Sequence, residues 1–244
     1  MSQNTNLNST TNEQIEQRDV YGFIITDEDQ QDRIHVDRVA EAQKRLWMNF
    51  LESRKNSFDE TWLWQYWKDE NREKNQINKK LMTMFSSRLT AQKQIKDLIR
   101  KGVPDELRGK VWWACSGGKQ KMESAPSHQQ FGAIVQRFHE LNETQVEIDI
   151  EKDINRTYPN STLLGKPQTL ASLRKVLLAY ALRNPIIGYC QSMNFVCCML
   201  LLHLSEEQTF WVFAAIIEDI APKDYYDPSM IGSRIDQMVF ESCI

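Results

Sequence analysis

Ser205-Glu-Glu-Gln208-Thr209-Phe-Trp-Val-Phe-Ala-Ala-Ile-Ile217 is the best-defined helix start in the chain. A Ser followed three residues later by Gln forms a capping box, in which hydroxyl and amide reciprocally satisfy first-turn N–H groups that have no partner inside the helix. Just upstream, Phe195 to Leu204 is a second apolar run, interrupted by His203. It is about half the length a bilayer span requires and reads as a core helix. Within Gln168 to Arg183, Leu170, Leu173, Leu177 and Tyr180 recur at threes and fours, one face of a further helix. Single Pro and Gly residues punctuate the chain past Gly102 at roughly 15 to 25 residue intervals, a spacing that suits ordinary helices. No Val/Thr/Tyr alternation is long enough for a sheet, and no repeat recurs at a fixed period. The expected architecture is all-α.

Toward the N-terminus, Val36, Val39, Ala40, Leu46, Trp47, Phe50 and Leu51 share one helical face. A second run begins at Asp59, with Trp62, Leu63, Tyr66 and Trp67 on a face, and continues through Ile77, Leu81, Met84 and Phe85. Lys68 to Lys101 carries ten basic and four acidic residues. Beside three tryptophans this is either a surface for acidic lipid or a partner, or, as charge runs more often are, the solvated face of helices. Tyr21-Gly22-Phe23-Ile24-Ile25 is expected to be a brief extended segment docked on the helices that follow it. Met1 to about Gln17 has almost nothing to bury, so ordering it would cost about 1 to 2 kcal/mol per residue without return, and disorder is expected.

The 244 residues are 41% hydrophobic and 26% charged, with a net charge of -3, the balance of a globular protein without the basic footprint of a nucleic-acid binder. Five cysteines in no paired framework fit a reducing compartment, and the first residues hold no basic and apolar secretory signal, so a cytoplasmic location is expected.

Metal chemistry makes the sharpest spacing demands, and they are not met. Cys190, Cys197, Cys198 and Cys243 contain no C-x-x-C pair, and His35, His128, His139 and His203 lie far apart. No cofactor is implied, and Cys197 and Cys198 read as small buried hydrophobes. Ser116-Gly117-Gly118-Lys119 lacks both the upstream Gly and the following hydroxyl of a P-loop and reads as a turn after a helix. Any part in phosphate chemistry would be exerted on a partner's nucleotide.

Three further segments carry a resemblance. Gly102-Val-Pro-Asp-Glu-Leu leads into Arg108-Gly-Lys-Val-Trp112; Ile150-Glu-Lys-Asp153-Ile-Asn-Arg156 precedes Thr-Tyr-Pro; and Gly188-Tyr189-Cys-Gln191-Ser-Met-Asn194 opens the apolar run. In this order and spacing, with Asp224-Tyr-Tyr-Asp-Pro228 beyond them, they resemble the signature motifs of the TBC domain, the fold of GTPase-activating proteins for Rab GTPases. The resemblance runs from about Leu98 to the C-terminus. It divides the chain into a disordered polar tail (1–20), a helical N-terminal extension (21–97) and a multi-helix orthogonal TBC-like domain (98–244).

The resemblance implies that Arg156 is an arginine finger and Gln191 a glutamine that positions water in the active site of a GTP-bound Rab-type GTPase. Phosphoryl transfer needs charge neutralised on the phosphate oxygens and a water held in line, tasks that suit a guanidinium fork and an amide that both donates and accepts. Asp153, one helical turn before Arg156, would hold the guanidinium in its working rotamer, as against an exposed ion pair of no consequence. Arg108 resembles a family position that braces the active surface by ion pairing, Trp112 is expected as a core anchor, and Tyr189 as packing under the glutamine loop. Asn194 closes the third motif as a supporting residue. Ser192 stands where many relatives have Gly, with less backbone freedom.

By the same resemblance the N-terminal lobe is complete and the C-terminal lobe largely missing, since the chain stops at Ile244. Ile235, Met238 and Val239 would then expose an apolar face. Two functions are expected on this basis: a Rab GTPase-activating protein of vesicle trafficking, cytoplasmic and peripheral on endomembranes through its partner, or a non-catalytic helical module that binds a GTPase or adaptor.

Overall fold

In a computed structural model, residues 17–26, 29–53, 93–138, 145–222 and 224–243 are described. Their helices are, in chain order, α1 (Asp29–Ser53), α2 (93–100), α3 (Asp105–Cys115), α4 (Gly118–Ser124), α5 (Phe131–Gln136), α6 (Gln145–Ile154), α7 (Pro167–Arg183), α8 (Met193–Leu201), α9 (Glu206–Ala215) and α10 (Ile231–Cys243). Among the described residues there is no strand, and the one isolated antiparallel bridge pairs Arg18 with Ile24. The fold is all-α, as the periodicity requires. The tail through Glu16 and the aromatic run from Trp62 to Phe85, with most of the basic stretch behind it, lie outside the described residues.

The capping box opens α9 as the sequence predicts: Gln208 N–H donates to Ser205 Oγ and Ser205 N–H donates to Gln208 Oε1, each at 3.3 Å. Every residue from Thr209 to Ala215 is buried, so beyond its first turn this helix has no solvent face and runs through the middle of the fold, against α4, α7 and α8. Phe210, Trp211 and Phe213 fill the centre of the core together with Leu173, Leu177 and Tyr180 of the α7 stripe. A π turn, Ile216–Ile220, prolongs α9 and carries Glu218, whose carboxylate pairs with Lys121 and Arg183. Cys197 and Cys198 are fully buried in α8, and burial pushes the Cys198 thiol up to about 12, which leaves both inert.

A second, smaller core joins α1 and α2 to α3. Trp47 is wholly buried there with Ile95, Leu98, Val111 and Ala114, and its indole N–H donates to the Gly102 carbonyl at 3.0 Å. The tryptophan pair of α3 corrects one expectation. Trp113, not Trp112, is the buried anchor; Trp112 is only partly buried and stands edge-on to His203 with ring centres 5.1 Å apart. Neighbouring residues point about 100° apart around a helix; Trp113 takes the buried direction, and Trp112 packs against the same core from its edge. On the same helix, Gly109 lies so close to the His203 carbonyl that a Cβ would fall 2.1 Å from its oxygen.

Residues 17–20, assigned to the polar tail by composition, are ordered as half of a small hairpin. Asp19 Oδ1 accepts from the N–H groups of Tyr21 and Phe23, both at 2.9 Å, so local capping replaces the missing apolar burial. The hairpin lies not on the adjacent helix but against the distant residues 158–164. At the other end of the chain Ile231, Ile235, Met238, Val239 and Phe240 of α10 are all exposed, the unpaired apolar face expected there. No described helix is long and apolar enough to cross a membrane.

Candidate functional site

Helix α6 ends at Ile154 in a tight turn, with Arg156 N–H donating to the Asp153 carbonyl (3.2 Å) and Thr157 N–H to that of Ile154 (3.1 Å). The turn points Asp153 inward and Arg156 outward. Asp153 is 4% exposed. Its Oδ1 accepts from Arg156 Nε at 2.8 Å and Nη2 at 2.6 Å, while its Oδ2 accepts from the Tyr189 hydroxyl at 2.5 Å. A carboxylate in a water-poor setting holds such charge-assisted bonds more firmly than a surface ion pair does. The Arg156 side chain remains 59% exposed, anchored on one edge and free on the other.

A second link lies one residue on. The buried Thr157 hydroxyl donates to the Asp153 carbonyl and accepts from Asn194 Nδ2, both at 2.7 Å. Arg156 is thus framed by Asp153 and Thr157, and Gln191 by Tyr189 and Asn194, and the two frames are bonded to each other at both ends. Gln191 is exposed, with no hydrogen bond to another described residue. One guanidinium and one carboxamide are thus left exposed on two turns that hydrogen bonds tie to each other.

Burial, and then its bond to Asp153, pushes the Tyr189 phenol well above its usual range, so it stays a donor at any physiological pH. Ser192, at the N-terminus of α8, has φ +88°, the left-handed region that glycine occupies freely. A side chain there costs about 1 to 2 kcal/mol, and the turn presenting Gln191 carries that strain.

Arg108 and Trp112 lie apart from this frame. Arg108 Nη1 donates to Tyr21 Oη at 2.6 Å and to Asp105 Oδ1 at 2.9 Å, and its guanidinium stands 6.0 Å from the Trp112 ring centre. Its ion pair is with its own helix, and what it braces is the N-terminal hairpin. Sequence reasoning missed Thr157 and Tyr158, although both stand in the Thr-Tyr-Pro directly after Arg156. Tyr158 has φ +49° and packs edge-on between Phe23 and Phe195. Among the described residues no group of three or more His, Cys, Asp or Glu is placed to hold a metal.

A sequence model of the Rab-GTPase-TBC domain matches residues 105–244, more than half of the chain, from Asp105 of the first motif segment through the other two. The chain belongs to the Rab-GTPase-TBC domain family. Among its relatives, human TBC1 domain family member 2B is 32% identical over 229 residues, covering 93% of this chain and 22% of that protein. The mouse protein of the same name is 37% identical over 154 residues, 62% of this chain and 16% of that one. The crystal structure of the Chlamydomonas flagellar RabGAP TBC domain superposes with a TM-score of 0.62 at 28% identity, covering 86% of this chain and 61% of that one. This TBC chain thus spans about a fifth of the curated relatives it matches.

Proposed function

We propose that this TBC domain accelerates GTP hydrolysis by a Rab-type GTPase in its GTP-bound form, with Arg156 and Gln191 supplied in trans. The observation that carries the reading is the shared carboxylate of Asp153, which fixes Arg156 on one side and, through Tyr189, the glutamine turn on the other. For Arg156 the loss of rotamer freedom is met before the partner arrives, and the turn that carries Gln191 is tied to the same carboxylate. Negative charge spreads over the phosphate oxygens as the bond to the leaving group breaks. The planar fork of Arg156 neutralises that charge, and the Gln191 carboxamide accepts from the attacking water while donating to phosphate. An arginine in trans contributes on the order of a thousandfold or more, about 4 kcal/mol of barrier.

Because Rab-type GTPases work on membranes, this reading puts the protein at endomembrane surfaces through its partner, in vesicle trafficking. The test is single-turnover GTP hydrolysis by a panel of GTP-loaded Rab proteins with and without the purified protein. Stimulation of one or more members is the expected result. Binding to a GTP-loaded Rab without any change in rate assigns the non-catalytic module instead, and neither binding nor stimulation overturns both readings.

A further inference from the structure

We infer that the N-terminal hairpin, residues 17–25, is a positioning strap for Arg156 and Gln191, and that Phe23 is the side chain through which it acts. Its kinetic consequence rests on the function proposed above; its structural consequence does not. The hairpin precedes the residues matched by the family model.

The hairpin lies backbone to backbone on the segment that follows the arginine. Thr162 N–H donates to the Gly22 carbonyl at 3.1 Å, Ser161 Oγ donates to the Tyr21 carbonyl at 2.5 Å, and Arg18 Nη1 donates to the Asn160 carbonyl at 3.1 Å. Gly22, at φ +81°, would place a Cβ 2.5 Å from Thr162 Oγ1 and 2.8 Å from Leu163 N, so the contact is as close as a glycine permits. The hairpin's outer end is held as well. Tyr21 Oη donates to Asp105 at 2.8 Å and accepts from Arg108, and its ring meets His203 edge-on.

From this fixed base a line of three rings reaches the site. Phe23 packs edge-on against Tyr158 at 5.7 Å, and Tyr158 packs edge-on against Phe195 at 5.2 Å. Tyr158 lies two residues after Arg156, in a left-handed conformation that an L residue does not hold unaided. Phe195 lies four residues after Gln191, in the first turn of α8. Tyr158, wedged between them, therefore sets the spacing of the arginine turn against the glutamine helix, and Phe23 sets Tyr158. Phe23 touches neither a nucleotide nor a reacting atom; it is a positioning residue.

Backbone hydrogen exchange of the full chain tests the strap without any partner. In Phe23→Ala, the Thr157 and Phe195 amides are expected to exchange tenfold or more faster, together with Thr162, while Val212 and Phe213 of α9 keep their protection. Phe23→Tyr, which restores the ring edge, should return all three to the parent rates. Should Phe23→Ala loosen α9 as well, Phe23→Leu, which keeps apolar volume without the ring, carries the same comparison. Acceleration confined to residues 160–163, the direct backbone contacts, overturns the inference. In the kinetic arm, Phe23→Ala should lower the kcat of stimulated GTP hydrolysis about tenfold with KM for the GTP-loaded Rab within twofold, since only the transition state demands the preset geometry. A raised KM at unchanged kcat would mean that the hairpin is a docking surface and would likewise overturn it. A parent protein that stimulates no Rab refutes the proposed function, and the exchange result then decides the strap alone.

Discussion

Asp153 does for Arg156 what an exposed carboxylate cannot. On a surface, an i, i+3 pair is worth well under about 1 kcal/mol and leaves the guanidinium to wander; here the carboxylate is buried and takes a second donor, Tyr189, on its other oxygen. Asp153→Asn keeps the shape but presents an amide N–H₂ to one of two donors. We expect stimulated hydrolysis to fall at least tenfold with Rab affinity within a few-fold, checked by single-turnover rates beside equilibrium binding; equal loss in both would make Asp153 a folding residue only. Arg156, Gln191 and Asp153 are candidates from the sequence because each stands at a motif position. The burial of Asp153 is not, since spacing by three places two residues on one helical face and says nothing about which of them the core covers. Thr157 and Tyr158 escaped for the same reason: their roles arise from Asn194, Phe23 and Phe195, residues distant in the chain.

At the scale of elements, local signals read well and long-range ones did not. The capping box of α9 and the stripe of α7 depend only on neighbours three and four apart, and both stand as the sequence spells them. Which of Trp112 and Trp113 is the more deeply buried depends on where the rest of the chain lies: Trp113 is 5% exposed, and Trp112 packs partly buried against the same core. Trp113→Ala should therefore cost about 3 to 5 kcal/mol, the price of emptying a large aromatic site, and Trp112→Ala less than half of that. Denaturant unfolding of the two variants checks the difference, and equal costs would contradict the placement of α3. The hairpin was legible as an extended patch but not in its docking, because its partners lie 140 positions away. Pairing at that separation leaves no trace in periodicity.

Across the whole molecule, His203 ties the end of α8 to α3 and to the hairpin. Its side chain is 5% exposed and faces Asp105 at 3.8 Å, Arg108 at 3.5 Å and the rings of Tyr21 and Trp112. Burial, reinforced by Arg108 and opposed by Asp105, lowers its pKa from the ordinary 6.5. The unfolded chain then takes up this proton first, so the stability it represents is complete above about pH 6.5 and is lost as the pH falls from there through the lowered value. Thermal melts between pH 7.5 and 5 should show that decline, and His203→Gln should flatten it; an unchanged slope would assign the decline to other groups.

Arg156 carries the proposed activity most directly. Removing its guanidinium should abolish transition-state stabilisation while sparing ground-state docking. The measurement is single-turnover GTP hydrolysis by a stimulated Rab, with Arg156→Ala compared with the parent and with fold and Rab affinity followed in the same preparation. A loss of a hundredfold or more, about 2.7 kcal/mol, at near-parent affinity and melting temperature is the predicted result. Stimulation within threefold of the parent by a folded Arg156→Ala protein would contradict it.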